Sequence, residues 1–338
     1  MGTLREGAIQ AVRNCARVQP GEKVVIITDH ATAHIAAALK EVAEQSSPGN
    51  VSTLVLEDFG DRPEDGSSPL ELPRQIAEAL RGADVSFFAA TGKKGEVGSL
   101  RLPLLDVVYE SEKLRHGHMP GISDELMRMG MCADYEEVQR IGAAVGEIAR
   151  EAREITVTTP AGTKFTAEFS PSLKWVVCDG LLRAGKPTNL PEGEVFTCPH
   201  NVKEGVVVID GILGDYFSEK FGLLEDTPVT WEIEDGRVKK VSCVDERLVS
   251  ELGEYMAQDE NADRLGEFAI GTNTGLDRLV GNLLQDEKFP GVHVAVGEPI
   301  PRETGADWTS KAHLDGVLKN VTIDVEGRVI MRHGEFTL

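Results

Sequence analysis

Three apolar runs, "KVVIIT" (23–28), "VSTLVLE" (51–57) and "DVSFFAA" (84–90), are separated by stretches whose apolar residues recur at helical spacing, among them "LPRQIAEALR" (72–81). A chain that alternates strand and helix in this way is confined to a parallel sheet with helices on its faces, most simply a doubly wound one. Residues 3–18 supply a helix before the first run, stopped by Pro20-Gly21, and Asp29 is placed to cap a helix beginning near Ala31. A helix near 98–112 leads into "KLRHGHMPG", a fourth strand, and "DYEEVQRIGAAVGEIAREA" (134–152) predicts a long amphipathic helix.

From "EITVTTPAGTKFTAEF" (154–169) onward the pattern changes to Thr-rich alternation with a Pro-Ala-Gly reversal, which is a hairpin signature. Further strands follow at "GEVFTCP", "GVVVIDG", "TPVTWEIEDGRVKKVSC" and "NVTIDVEGRVIMRHGEF", with short helices near 246–258 and 277–286. The expected fold is an α/β N-terminal domain with a parallel sheet, Rossmann-like, over 1–150. A mostly antiparallel β domain with helical insertions follows over 151–338. Residues 60–70, "GDRPEDGSSPL", read as a solvated loop.

Charge narrows the function. Thirty-five basic against 56 acidic residues give a formal charge of -21, which repels nucleic acid and anionic lipid alike, so neither is expected as a partner. No run is long enough to span a membrane and the N-terminus lacks the apolar core of a signal peptide, which predicts a cytoplasmic protein. Five scattered cysteines without a Cys-x-x-Cys argue against a disulfide framework or a zinc ribbon. "VVIITDHATAH" has no glycine to cradle a dinucleotide phosphate, and no Gly-x-Ser-x-Gly elbow offers a serine nucleophile.

His30 and His34 lie one helical turn apart but lack the glutamate that metalloproteases place beside the first histidine, and they read as structural. His116 and His118 share a strand face and read as packing residues. The later histidines have richer company. In "KAHLDGV" an extended backbone puts His313 and Asp315 on one face, roughly 6 to 7 Å apart at their backbones. "GVHVAVG" sets His293 inside an apolar strand, "LGEFAIGTN" sets Glu267 in an apolar run where a carboxylate must be paired, protonated or on a metal, and "NLPEGEVFTCP" puts Glu194 at a strand head. Two histidines and three carboxylates suit two divalent ions bridged by a carboxylate.

These segments, in order with "TVTTPAGTKF", "VVIDG" and "GNLLQDEK", resemble the thermophilic metallo-aminopeptidase family of the aminopeptidase T and aminopeptidase S type; "MPGIS" and "ADYEEV" extend the likeness toward the N-terminus. The resemblance implies that Glu194, Glu267, His293, His313 and Asp315 hold two divalent ions, zinc, cobalt or manganese, and that Glu194 or Glu267 carries the catalytic proton. It further implies a peptide substrate and a homodimer. The family pattern has a tyrosine seven residues after the first histidine, where this chain has Ile300. Two other readings stand beside it. One is a mononuclear iron ring-cleaving dioxygenase of a dihydroxypyridine, a type that resembles the same superfamily but carries histidine where this chain has Glu267. The other is a metal-binding protein without peptidase turnover.

Overall fold

Val24–Thr28 and Val85–Ala90 pair in parallel and are buried along their whole lengths. Both read as unbroken apolar runs because a sheet covered on two faces has no solvent side to record in the sequence. The computed structural model describes residues 2–338, and the chain divides into two units. One runs to Glu136 and takes in Gly180–Glu192; the other comprises Glu137–Asp179 and Gly193–Leu338.

The first unit is built on a five-stranded sheet in the order Val51–Val55, Val24–Thr28, Val85–Ala90, Arg115–Pro120, Pro187–Asn189, parallel throughout. Helices Arg74–Gly82 and Leu102–Tyr109 bury Ile76, Leu80, Leu104 and Val108 against Val25, Ile27 and Phe88 of one face. At the N-terminus Thr3 and Glu6 form a reciprocal capping box on helix Leu4–Ile9, which continues as a wider π turn over Gln10–Cys15.

Two expectations need correction here. Asp29 does not cap a helix: the helix is Ala33–Ser46, with Thr32 at its head. Asp29 instead accepts hydrogen bonds from Thr32 N at 2.9 Å, Thr91 N at 2.8 Å and Arg62 Nη1 at 2.8 Å, and these donors hold its carboxyl well below the usual range although burial opposes them. Residues 60–70 are also not simply a solvated loop. Arg62 is buried and forks onto Glu96 at 2.9 and 2.7 Å, because a buried charge is tolerated only when it is paired.

His30 is exposed and His34 pairs with Asp124. His116 is fully buried, with Nδ1 2.7 Å from Ser86 Oγ and Nε2 3.2 Å from His118 Nδ1. Arg101 Nε donates to His118 Nε2 at 3.3 Å, so the chain of donors keeps both imidazoles neutral. Burial pushes His116 down to about 3 and His118 down as well.

The second unit has two antiparallel sheets. The larger has eight strands, ordered Arg237–Ser242, Val229–Glu234, Glu204–Ile209, Lys164–Glu168, Glu154–Thr158, Thr322–Val325, Arg328–Arg332, Glu335–Phe336. The smaller has five, ordered His313–Leu318, Gly291–Gly297, Leu265–Gly271, Glu194–Thr197, Val176–Cys178. They share one core, in which Phe165, Val207 and Trp231 of the larger sheet meet Phe268, Val294 and Leu314 of the smaller, together with Ile141 and Val145 of helix Tyr135–Glu151. The expected fold class, a parallel α/β portion followed by mostly antiparallel β structure with interspersed helices, is the one found. The second short helix spans only Leu283–Asp286 rather than 277–286. Among the described residues no helix is long and apolar enough to cross a membrane.

The buried neutral histidine predicts an acid sensitivity. With a folded pKa of about 3 against an unfolded value of about 6.5, His116 contributes stability that is complete above pH 6.5 and is lost as pH falls from there toward 3. Urea unfolding across this window should show stability falling with acid, and His116→Gln should flatten that slope by up to about 1.4 kcal/mol per pH unit. An unchanged slope would show that His116 is not the group responsible.

Candidate metal centre

Strand alternation divides the smaller sheet into a core face and a site face. Val292, Val294 and Val296 enter the shared core, which turns His293 and Ala295 to the other side. Leu314 and Leu318 do the same for His313, Asp315 and Val317, and Val195 does so for Glu194 and Phe196. Leu265–Gly271 breaks the parity: Leu265 and Phe268 both reach the core although they are three residues apart, and Glu267 faces the site. A β-bulge between Leu265 and Glu267 absorbs the extra residue, Gly266. A Cβ there would lie 2.0 Å from the Gly297 carbonyl oxygen, so only glycine fits.

Small residues stand opposite the charged ones. Ala295 is the cross-strand partner of both Glu267 and Asp315, Ala269 pairs with His293, and Gly271 pairs with Glu194. The five residues singled out in the sequence therefore converge. His293 Nε2 lies 3.6 Å from Glu194 Oε2 and 3.5 Å from Glu267 Oε1, while His313 Nε2 lies 3.5 Å from Glu267 Oε2 and 3.4 Å from Asp315 Oδ2. These separations are long for charge-assisted hydrogen bonds. They match the edge of a coordination tetrahedron, since ligands about 2.0–2.1 Å from an ion sit about 3.3–3.4 Å apart.

The atoms form two ligand sets, Glu194 with Glu267 and His293, and Glu267 with His313 and Asp315, so Glu267 presents one oxygen to each. Glu194 Oε2, Asp315 Oδ1 and His293 Nδ1 are buried and make no hydrogen bond. The two carboxylate oxygens are buried acceptors, costly unless a cation satisfies them, and imidazole with carboxylate suits divalent ions of the zinc, cobalt and manganese class. The residues present therefore fit such ions.

Outer contacts orient these side chains. His313 Nδ1 donates to the Glu298 carbonyl at 3.0 Å, which turns Nε2 toward Glu267 and Asp315 and makes it the nitrogen that would bind an ion once its proton is lost. The Tyr255 hydroxyl donates to the His313 carbonyl at 2.9 Å and accepts from its N–H at 3.1 Å. Two residues were missed by the sequence reading. Lys288, with a side chain only 1% exposed, is 2.7 Å from both Glu194 Oε1 and Glu287 Oε1. Glu287 forms a third set with His293 and Asp315. The signal was the charged "QDEK" two residues before the apolar "GVHVAVG". His30, His34, His116 and His118 belong to no such set among the described residues.

The carboxylates also hold protons on the histidines. Burial opposes the charge, but Glu267 and Glu194 raise His293 to about 9, and Asp315 and Glu267 raise His313 to about 10. Burial likewise works against ionised Asp315, yet the His313 cation brings it down to about 2. A metal ion needs neutral imidazole, so loading at pH 7 should expel about two protons, one from each histidine. Calorimetry of zinc binding in buffers of different ionisation enthalpy should give that number, with apparent affinity rising as pH increases from 6 to 9. Binding without proton release would place the ions elsewhere.

The sequence profile of the thermophilic metalloprotease (M29) family matches residues 136–329, a span that contains all five residues. Among solved structures, wild-type AmpT from Thermus thermophilus superposes with a TM-score of 0.71 at 18% identity, covering 99% of this chain and 99% of that one. The 2,5-dihydroxypyridine dioxygenase from Pseudomonas putida KT2440 superposes with a TM-score of 0.69 at 18% identity, covering 98% and 96%. At such identity both likenesses speak for the fold alone. No curated protein matches the chain in sequence. The profile match spans more than half of the residues, and on that ground the chain belongs to the thermophilic metalloprotease (M29) family.

Proposed function

We propose that this protein is a metal-dependent aminopeptidase that removes the N-terminal residue of peptides at a dinuclear centre. The observation that carries the reading is Glu267, whose two oxygens each lie 3.5 Å from a different histidine and so are set to serve two cations at once. In this reading Glu194, Glu267, His293, His313 and Asp315 are the ligands and the ions are zinc, cobalt or manganese. The protein works as a homodimer without a nucleic-acid partner.

Two bound ions would supply a water acidic enough to act as hydroxide near neutral pH and would polarise the scissile carbonyl. The protein's own residues manage the proton. As the water oxygen bonds to the carbonyl carbon and the C–N bond breaks, one proton must pass from the water to the leaving amine. Glu194 and Glu267 can carry it, as the sequence resemblance implies. Glu287 joins them, because it is only partly buried, is held by Lys288, and approaches His293 and Asp315.

A second reading draws on the likeness to the dioxygenase. A mononuclear iron site takes two histidines and one carboxylate and leaves positions open for oxygen and substrate. The extra carboxylates Glu194 and Glu267 support the hydrolase instead. The third reading, a metal-binding protein without turnover, draws on Ile300 in place of the tyrosine; loss of an oxyanion donor costs about two to three powers of ten in rate.

Protein purified without added metal should bind two equivalents of zinc or cobalt and then hydrolyse leucine p-nitroanilide. Glu267→Ala should lose at least one equivalent together with activity, whereas Glu287→Gln should keep both ions and lose roughly a hundredfold in kcat if it is the proton carrier. One equivalent of iron with oxygen uptake on a dihydroxypyridine and no hydrolysis would replace this reading with the dioxygenase. Two bound ions with no hydrolysis of any aminoacyl amide would leave the non-catalytic one.

A further inference from the structure

Lys288 is buried at the edge of the ligand cluster. Its side chain is 1% exposed, and its Nζ lies 2.7 Å from Glu194 Oε1 and 2.7 Å from Glu287 Oε1. Lysine is almost never buried unless it is paired, and here both partners are carboxylates of the candidate ligand sets. The backbone is arranged to bring it there. Gly271 is the cross-strand partner of Glu194, and a Cβ on Gly271 would stand 2.0 Å from the Phe289 carbonyl oxygen. Absence of that side chain lets the main chain at Lys288 and Phe289 lie against the strand, next to Glu194. Lys288 N donates to the Gln285 carbonyl at 2.9 Å, and the Lys288 carbonyl accepts from Asn273 N at 3.0 Å, so its main chain is fixed on both sides.

This contact gives the two oxygens of Glu194 different tasks. Oε1 is held by the ammonium, while Oε2 is buried without a hydrogen bond, 3.6 Å from His293 Nε2. Glu194 therefore has one oxygen to offer a cation. Its set then presents three atoms, Glu194 Oε2, Glu267 Oε1 and His293 Nε2. Three protein ligands with one position left for water suit a four-coordinate catalytic zinc. Ions that favour six oxygen-rich positions, such as manganese, gain from a carboxylate that binds through both oxygens, and Lys288 withholds the second. Glu287, which forms its own set with His293 and Asp315, is restrained through Oε1 by the same ammonium. The positive charge of Lys288 repels every divalent ion alike, so discrimination comes from the number of oxygens left available.

We propose that Lys288 selects the metal: by confining Glu194 to one oxygen it favours zinc over manganese at the set formed by Glu194, Glu267 and His293. It is a positioning residue, acting through Glu194 without touching ion or substrate. The inference rests on the dinuclear reading and narrows its choice of ions. A compact ammonium suits the task, because one nitrogen reaches both carboxylates. Among the described residues no lysine or arginine pairs with Glu267, His313 or Asp315. The effect is therefore confined to one of the two ions, and the other serves as an internal control.

The test uses the full-length protein, stripped with a chelator and titrated by calorimetry with zinc and with manganese, as wild type and as Lys288→Met. The ion at the Glu194 set is identified by its loss in His293→Ala. At that ion the ratio of the manganese Kd to the zinc Kd should fall at least about tenfold in Lys288→Met, while the ratio at the other ion stays as it was. Cobalt gives a second readout. Four-coordinate cobalt absorbs visible light far more strongly than six-coordinate cobalt, so absorption per bound ion should drop in the variant. If the single variant does not fold, Lys288→Met combined with Glu287→Gln removes one charge of each sign, and the same ratio is measured there. A lysine that only supports the fold would change both metals alike. An unchanged ratio would overturn the proposal, and with two ions still bound it would leave the dinuclear reading intact. A shifted ratio with unchanged cobalt absorption would overturn it as well, since coordination would not be the cause. One bound ion, with ratio and absorption both shifted, would retain the role of Lys288 and overturn the dinuclear reading. No bound ion would overturn both.

Discussion

Mutual repulsion among buried carboxylates governs the second unit. Glu194, Glu267 and Asp315 are buried on one sheet face and Glu287 stands beside them, while the positive charges in contact are Lys288 and whatever His293 and His313 carry. Carboxylates brought this close in a low-dielectric interior cannot all stay ionised without cations. Protons on the two histidines meet the demand partly, which is why both are raised so far above the ordinary value. Divalent ions would meet it more completely, and the open edges of about tetrahedral length between the ligand atoms are shaped for them.

That concentration of charge is affordable because the same strands face a large apolar core on their other side. Val292, Val294 and Val296 anchor His293; Leu314 and Leu318 anchor His313 and Asp315; Phe268 and Ile270 anchor Glu267. Each of these side chains is therefore fixed by the burial of its sequence neighbours, and a slip of one residue would put apolar residues where the carboxylates and imidazoles stand. The bulge at Gly266 is the one place where the parity is reset, and the 2.0 Å approach of a Cβ to the Gly297 carbonyl explains why glycine stands there. Rigidity of this kind is what a ligand set needs, since misplacement by about 1 Å is enough to impair a site.

How much of this was legible follows from the range of the interactions involved. Period-two alternation is local, so "GVHVAVG" and "KAHLDGV" declared their strands, and the positions of His293, His313 and Asp315 on them, directly. The continuous apolar runs of the first unit declared buried parallel strands for the same reason. Arg62 was illegible because its partners Asp29 and Glu96 are 33 and 34 residues away, and nothing local marks a loop arginine as buried. Glu287 and Lys288 were not singled out, because nothing local marks two charged residues ahead of Phe289-Pro290 as buried. Their burial depends on Asp286, whose carboxylate captures the N–H groups of Val280, Gly281 and Asn282 and turns the loop, which also shortens the expected helix.

Position 267 is where the competing chemistries part. A carboxylate there can offer an oxygen to each of two cations and so reduce their repulsion, whereas a histidine offers one lone pair and no charge. In this chain the two oxygens of Glu267 point to different histidines, and Glu194, tied through one oxygen to Lys288, keeps the other for His293's side of the site. One sheet face could thus serve a bridged pair of ions or a single ion with open positions, depending on a side chain that leaves strand pairing untouched. The strands beneath would stay the same in either case, since pairing uses only their backbones.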